Sequence, residues 1–137
     1  MKEAQFVKLI KRNLTIYNWM RIETTTMAGF PDLIGVSPQL DTIFVEAKVV
    51  IGNKIKLSPH QISMGIKLWR DTGGSSYIIA IKEHAKPLRP DSVKLYETRI
   101  SLDLLENGVN EPPTAEGWHT ICRYLQAVHG SRPKKPK

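Results

Sequence analysis

The chain has 137 residues, with 20 Lys or Arg against 13 Asp or Glu, so its formal net charge is +7. This length fits one domain with a buried core, and the basic balance favours a polyanionic partner. The single cysteine, Cys122, excludes an intramolecular disulfide and a cysteine-based zinc cage, and we expect it to be a buried thiol. Because there is no run of 18 apolar residues and no apolar signal core at the N-terminus, we expect an intracellular, cytoplasmic protein.

The first 82 residues alternate helix and strand signals. Apolar residues at 6, 9, 10 and 14 recur at helical spacing and predict a helix that ends near Asn13. Strands are predicted over 17–24, 33–36 and 42–50. The pair Ser58-Pro59 predicts the start of a second helix, because Ser caps a helix and Pro suits its first position, and Gly73-Gly74 ends it. The continuous apolar run 77–81 predicts a central strand covered on both faces, reached by a crossover connection.

Signals after residue 82 are weaker. We expect a loop over 86–90, an edge strand over 93–98, a short helix over 101–107 closed by Gly108, and a last helix capped by residues 111–114. The apolar side of that last helix is formed by Trp118, Ile121, Cys122 and Leu125. The pattern predicts an α/β fold in a single domain over 1–130, with a core over about 1–82, an extension over about 83–130, and a basic disordered tail over 131–137.

Charged residues interrupt the apolar strand 42–50. Glu46 and Lys48 lie two residues apart and therefore share one face with Phe44, opposite the apolar residues at 43, 45, 47 and 49. Asp32 opens the preceding strand, so a hairpin would bring two carboxylates and one ammonium to one edge. Close carboxylates need a cation, hard oxygen ligands favour Mg²⁺ or Mn²⁺, and the set suits metal-assisted phosphodiester hydrolysis. A solvated Glu-x-Lys face is the alternative, but charges inside an apolar strand argue against it.

The sequence Pro31-Asp32, followed by Glu46-Ala47-Lys48, resembles the PD-(D/E)XK nuclease superfamily. The likeness extends to Glu3 in the first helix, to the glycine-containing loop 27–32, and to Gln61 in the second helix. These features resemble the virus-type replication-repair nucleases (VRR-NUC) and the Holliday junction resolvases. The resemblance covers about residues 1–82 and implies a restriction-endonuclease-like core, in which helices flank a mixed central β-sheet.

This resemblance also implies roles for individual residues. Metal ligands would be oxygen atoms of Glu3, Asp32, Glu46 and the backbone carbonyl of Ala47, with Glu3 acting directly or through water. Lys48 would orient the attacking water or offset charge in the transition state. Gln61 would hydrogen-bond the water, Lys48 or a phosphate oxygen. The plainer alternative for both Glu3 and Gln61 is an ordinary residue of a first helical turn.

A further group of residues is expected to contact DNA. The group consists of Thr24, Thr25, Thr26, Lys54, Lys56, His60, Lys134, Lys135 and Lys137. Alternatives remain open: the threonines suit a β-prone segment entering a loop, lysines are common in exposed hairpins, and His60 suits a plain surface. Arg21 and Glu23 are expected to form a structural ion pair. His84, His119 and His129 lack ligand spacing, so a zinc site is not expected.

The predicted function is that of a Mg²⁺-dependent DNA endonuclease selective for DNA structure: a Holliday junction resolvase, or a repair or replication nuclease, with a phage origin as one option. Because a junction needs two symmetric cuts, we expect a homodimer. The apolar side of the last helix would serve either that dimer or the monomer's own sheet. Alternatives are a sequence-specific restriction or homing endonuclease, with 83–137 as recognition apparatus, and a catalytically inactive nucleic-acid-binding module, which the complete set of Asp32, Glu46 and Lys48 disfavours.

Overall fold

A six-stranded mixed sheet forms the centre of the fold in the computed structural model, which describes residues 1–22, 28–82 and 93–130. The strands follow one another in chain order across the sheet: β1 (Asn18–Arg21), β2 (Leu33–Val36), β3 (Ile43–Val50), β4 (Ser76–Lys82), β5 (Val93–Glu97) and β6 (Ala115–Glu116). All neighbouring strands are antiparallel except β3 and β4, which run parallel. The helices are α1 (Glu3–Asn13), α2 (Pro59–Thr72), α3 (Ser101–Asn107) and α4 (Trp118–His129). In the described part of the chain, none of them combines the length and apolarity that a membrane crossing requires.

Helix α2 is the crossover between the parallel strands β3 and β4. It begins where the sequence predicts, because the Ser58 hydroxyl accepts a hydrogen bond from the Gln61 backbone N–H at 3.1 Å and Pro59 occupies the first position. It ends at Gly73 in the left-handed conformation. The strand that follows is buried along its length up to Lys82, which is exposed. This confirms the predicted central strand covered on both faces.

The two faces of the sheet carry separate apolar cores. On one face, α1 and α4 pack on the sheet through side chains that include Phe6, Ile10, Ile121 and Leu125. On the other face, α2 and α3 pack through Ile62, Leu104 and their neighbours. Alternate residues of β4 belong to alternate cores, with Ile79 and Ile81 in the first and Ile78 and Ala80 in the second. The predicted α/β class, with helices flanking a mixed sheet, is therefore confirmed.

Helix α4 packs on this sheet with its apolar side. Ile121 and Leu125 are fully buried, and Trp118 and Cys122 are half-buried against the same core. Of the two roles considered for this face, capping the monomer's own sheet is therefore the one observed for Ile121 and Leu125. Cys122 is less buried than the sequence predicted.

Buried hydrogen bonds fix the C-terminal end of α4. His129 Nε2 lies 2.6 Å from the Tyr77 hydroxyl on β4, and its Nδ1 lies 3.1 Å from Oδ2 of Asp41, just before β3. The Asp41 backbone N–H in turn donates to the His129 carbonyl at 3.2 Å. Since each polar atom of the buried imidazole has a partner, the network ties α4 to β4 and to the turn that leads into β3.

Three sequence-based boundaries need correction. Strand β1 spans Asn18–Arg21, and residues 23 and 24 at the end of the predicted strand lie outside the described residues, as do the predicted loop over 86–90 and the tail over 131–137. Strand β5 is not at the edge, because β6 pairs with it, with Leu95 opposite Ala115. Helix α4 begins after Gly117 and not at residues 111–114. A two-residue strand has no periodicity of its own, so only its contact with β5 reveals it.

Candidate metal centre

Strand β3 places Glu46 and Lys48 on the face that packs against α2. Side chains at 43, 45 and 47 belong to the core on the opposite face, whereas Val50 belongs to the α2 core, so the predicted alternation is confirmed. Glu46 is only 6% exposed. The Lys48 ammonium lies 3.9 Å from Glu46 Oε2, and its side chain is 14% exposed. The strand therefore brings an acid and a base together below the protein surface.

Asp32 lies where β2 and β3 separate. Their antiparallel register ends with Leu33 opposite Val45, so β3 has no partner in β2 from Glu46 onward. At this point the Ala47 backbone N–H donates a hydrogen bond to Asp32 Oδ2 at 3.0 Å. The N–H and C=O of a strand residue point to the same side, so the Ala47 carbonyl also points towards the side occupied by Asp32.

The loop before Asp32 packs tightly against the first turn of α2. Gly29 has a φ of +81°, and a Cβ at this position would collide with the backbone carbonyl of His60. The next residue, Phe30, makes an edge-to-face contact with Phe44 on β3, with ring centroids 5.9 Å apart. A close backbone approach and an aromatic pair therefore fix the loop that delivers Asp32.

Helix α1 brings a third carboxylate to the same place. Glu3 is the first residue of this helix and is exposed. One carboxylate oxygen from each of Glu3, Asp32 and Glu46 lies within 4.8 Å of the other two. The buried residues Phe6 and Val7 hold the first turns of α1 on the sheet. The structure thus brings together the three acidic side chains that the sequence singled out as metal ligands.

The electrostatics of this cluster are unfavourable for three ionised carboxylates. Burial raises the pKa of Glu46 well above its ordinary value, and the adjacent Asp32 raises it further by hydrogen bonding and by charge repulsion. Partial burial and the charge of Asp32 also raise the pKa of Glu3. Lys48 opposes both effects, but one ammonium cannot neutralise three anions.

The chemistry of the donor set fits a hard divalent cation. The three side chains offer carboxylate oxygens only, and no imidazole or thiolate joins them within the described ranges. Such oxygen donors suit Mg²⁺ or Mn²⁺, whereas structural zinc sites use mainly Cys and His. A bound divalent ion would also relieve the repulsion that raises the carboxyl pKa values.

Gln61 links Lys48, Glu46 and the start of α2. Its side-chain Oε1 accepts hydrogen bonds from the Ser58 backbone N–H at 3.0 Å and from the Lys48 ammonium at 3.1 Å. Its Nε2 donates to Glu46 Oε2 at 3.4 Å. The first of these bonds, with the Ser58 hydroxyl bond to the Gln61 N–H, forms a capping box. The interaction that starts the helix therefore also positions two side chains of the cluster.

The residues predicted to contact DNA include three that the structure describes. Lys54, Lys56 and His60 are exposed, and the predicted residues Thr24, Thr25, Thr26, Lys134, Lys135 and Lys137 lie outside the described residues. Ala47 itself is fully buried.

Sequence reasoning missed Arg21, which it assigned to an ion pair with Glu23, a residue outside the described ranges. The positive charge of Arg21 lowers the pKa of Glu3 and so acts on the acidic cluster. Arg21 pairs opposite Leu33, the neighbour of Asp32, and this pairing is what would have linked Arg21 to the cluster. It is known only once the β1–β2 register is known.

Comparisons with known proteins agree with this geometry. Residues 7–110 match the family described as archaeal Holliday junction resolvase (Hjc). The chain belongs to this family. The matched range includes Asp32, Glu46, Lys48 and Gln61 but neither Glu3 nor α4. The family implies a DNA nuclease of the structure-selective kind, so the predicted resemblance to the PD-(D/E)XK superfamily and its junction resolvases is confirmed.

A solved structure shows the same fold. It is that of Archaeoglobus fulgidus Hjc, a Holliday junction resolvase from an archaeal hyperthermophile, which aligns with a TM-score of 0.51 and 13% sequence identity. The alignment covers 73% of this chain and 75% of that chain. None of the curated proteins compared with the chain matches it.

We expect Gln61→Glu to separate the two roles of Gln61. A glutamate keeps the capping box, so the free energy of unfolding in Mg²⁺ should stay within about 1 kcal/mol of the parent. It cannot donate to Glu46 and adds an anion there, so DNA cleavage should fall by about tenfold or more. Gln61→Ala, which loses the cap as well, is the matched comparison. Full cleavage by the Gln61→Glu protein would leave Gln61 with the capping role alone.

The raised pKa of Glu46 predicts how stability depends on pH in the metal-free protein. A folded-state pKa above the unfolded value gives stability that is present below the unfolded pKa and lost as pH rises towards the folded pKa. In EDTA, Glu46→Gln should remove this loss, so its stability advantage over the parent should grow between pH 5 and 8, by at most about 1.4 kcal/mol per pH unit. Added Mg²⁺ should raise the free energy of unfolding of the parent at high pH and leave that of the variant unchanged. Urea denaturation at several pH values measures both effects, and parallel pH profiles would contradict the assignment.

Proposed function

We propose that the chain is a Mg²⁺-dependent endonuclease that hydrolyses phosphodiester bonds in branched DNA, with the four-way junction as its preferred substrate. One observation carries the proposal: oxygens of Glu3, Asp32 and Glu46 converge within 4.8 Å beside the ammonium of Lys48. Membership of the resolvase family supports the substrate class. The proposal includes Mn²⁺ as a substitute ion and residues 1–130 as one nuclease domain with a basic tail.

The roles of the side chains follow from their positions. Asp32 and Glu46 would hold the ion, with Glu3 and the Ala47 carbonyl as further ligands. When bound, the ion supplies Lewis-acid polarisation of the scissile phosphate and acidifies a coordinated water. Lys48 stabilises the negative charge that develops on the phosphate oxygens. Gln61 holds the Lys48 ammonium in place through the 3.1 Å hydrogen bond to Oε1.

Two alternative functions predict different cleavage results. A sequence-specific restriction or homing endonuclease would cleave linear duplex at one site. An inactive binding module on this fold would bind DNA and cleave none. The complete acidic cluster with its adjacent ammonium favours the active nuclease. A phage origin remains a hypothesis.

Cleavage should depend on the acidic cluster and on a divalent ion. Asp32→Asn and Glu46→Gln each remove a ligand charge while keeping side-chain shape, so both should abolish cleavage of a four-way junction, and Lys48→Ala should abolish it while metal binding persists. Mn²⁺ should replace Mg²⁺, whereas Ca²⁺, which is larger and tolerates irregular coordination, should permit binding without cleavage.

A panel of single strand, duplex, flap and four-way junction, incubated with each ion and with EDTA, measures these effects. Asp71→Asn, on the exposed last turn of α2, is the matched acid-to-amide control and should cleave like the parent. Full cleavage in EDTA, or Mg²⁺-dependent turnover by Glu46→Gln, would refute the metal assignment.

Assembly and electrostatics provide an independent prediction. Two symmetric cuts require two sites, so the active species should be a homodimer whose basic surface includes Lys54, Lys56 and the tail lysines.

Binding of DNA should weaken steeply with salt, since each phosphate contact releases roughly one counterion. Truncation after Gly130 should lower affinity for all DNA structures about equally and flatten the salt dependence without moving the cut. Sedimentation and salt titrations measure this, and a strict monomer that nicks duplex at one sequence would favour the site-specific alternative.

A further inference from the structure

A cleft lies beside the acidic cluster and is not explained by metal binding. It has a volume of about 860 Å³ and shares Lys48 and Gln61 with the candidate metal centre. One wall is the segment 53–58 between β3 and α2. The other is the C-terminal part of α3 and the turn that follows, 105–110. We call it the α3 cleft.

The two walls of the α3 cleft are tied to each other. The Val109 backbone N–H donates to the Asn53 carbonyl at 2.9 Å. Gly108 has a φ of +60°, and a Cβ there would collide with the same carbonyl, so only glycine allows this approach. The cleft is therefore built into the fold and does not need a ligand to form.

The lining of the cleft selects an anion that also has apolar surface. Its lining residues include three lysines, Lys48, Lys54 and Lys56, and a single acidic residue, Glu106. Leu105, whose side chain is 48% exposed, adds an apolar patch to the same wall. Lysines that contact phosphates next to a surface that contacts bases or sugars are the general means of holding one nucleic-acid strand.

The size of the cleft suits a single strand. Its volume of about 860 Å³ lies in the range of pockets that enclose a small ligand, roughly 300–1,000 Å³. A few nucleotides of one strand fit such a space, whereas a duplex would lie across its mouth.

We propose that the α3 cleft receives a short unpaired stretch of the DNA strand next to the scissile phosphate. This inference rests on the proposed nuclease function and deepens it by naming what the site recognises. Unpairing costs a few kcal/mol in intact duplex and least for a base that is already single-stranded. A branch point, where the last base pair of an arm can open, would offer such a strand more readily than intact duplex does. Since Lys48 lines the cleft and its ammonium lies 3.9 Å from Glu46, a strand seated there would place a phosphate beside the acidic cluster. Selectivity for branched DNA then comes from this chain's own α3 wall.

Two exposed leucines on α3 provide a matched pair of variants. Leu105 lines the cleft, whereas Leu102, which is 61% exposed on the same helix, is not among its lining residues. Leu105→Glu places an anion where the strand's phosphates would pass. Leu102→Glu adds the same charge outside. Because both side chains are exposed and Glu is a good helix former, both proteins should fold.

The first measurement is the affinity for fluorescein-labelled tetrathymidylate in EDTA, which does not depend on catalysis. We expect Leu105→Glu to weaken binding at least about tenfold, because it removes the apolar contact and places an anion within the cleft. Leu102→Glu should weaken binding several-fold less, because it adds a charge about one helical turn away and removes no lining residue. Equal effects of the two variants, or no binding of tetrathymidylate to the parent, would overturn the proposal.

The second measurement is the ratio of four-way junction to linear duplex cleavage in Mg²⁺. Leu105→Glu should lower junction cleavage about tenfold more than duplex cleavage, whereas Leu102→Glu should keep the parental ratio. If the parent is active and Leu105→Glu keeps the parental ratio, the proposed role of the cleft is refuted and the proposed nuclease function is not. A parent that cuts no DNA refutes the proposed function, and the tetrathymidylate measurement then still decides whether the cleft holds a strand.

Discussion

The convergence of Glu3, Asp32 and Glu46 at the open edge of β3 is the constraint on which the site depends. Carboxylates this close repel one another, and Glu46 is almost fully buried. The fold supplies partial compensation: the Ala47 N–H donates to Asp32, and the Lys48 ammonium lies near Glu46. The remaining negative charge favours protonation of Glu46 or binding of a cation. Ionisation of these carboxylates without a bound cation costs free energy. Part of the affinity of the cluster for a cation therefore comes from the removal of that cost.

The same interactions explain why several unrelated parts of the chain meet at this edge. Gln61 both caps α2 and contacts Lys48 and Glu46, so the helix start and the cluster are set by one side chain. Gly29 permits the loop of Asp32 to touch the first turn of that helix. On the opposite core, His129 joins α4 to Tyr77 on β4, the strand paired with β3. The acidic cluster is thus held by contacts from both layers of helices.

Local sequence patterns predicted the parts of this arrangement that depend on local physics. The alternation in β3, the Ser58-Pro59 cap and the continuous apolar run of β4 each follow from periodicity or capping, and the structure has them where the sequence places them. The failures have a common cause. Strand β6 exists only through pairing with β5, and the effect of Arg21 on Glu3 needs the β1–β2 register. The α3 cleft depends on the contact of Val109 with Asn53, which are far apart in sequence.

Substrate selection and chemistry would be coupled through the two side chains that the cleft and the cluster share. The charged motif that identifies the nuclease superfamily lies in the first half of the chain, whereas α3 and its turn, which form the far wall of the cleft, lie beyond residue 100. The cleft and the acidic cluster share Lys48 and Gln61. A strand that enters the cleft would change the environment of the same ammonium that offsets the charge of Glu46. Under this proposal, recognition of an unpaired strand and stabilisation of charge at the scissile phosphate would share one side chain. A substrate that leaves the cleft empty would then also leave Lys48 without the phosphate that completes its contacts.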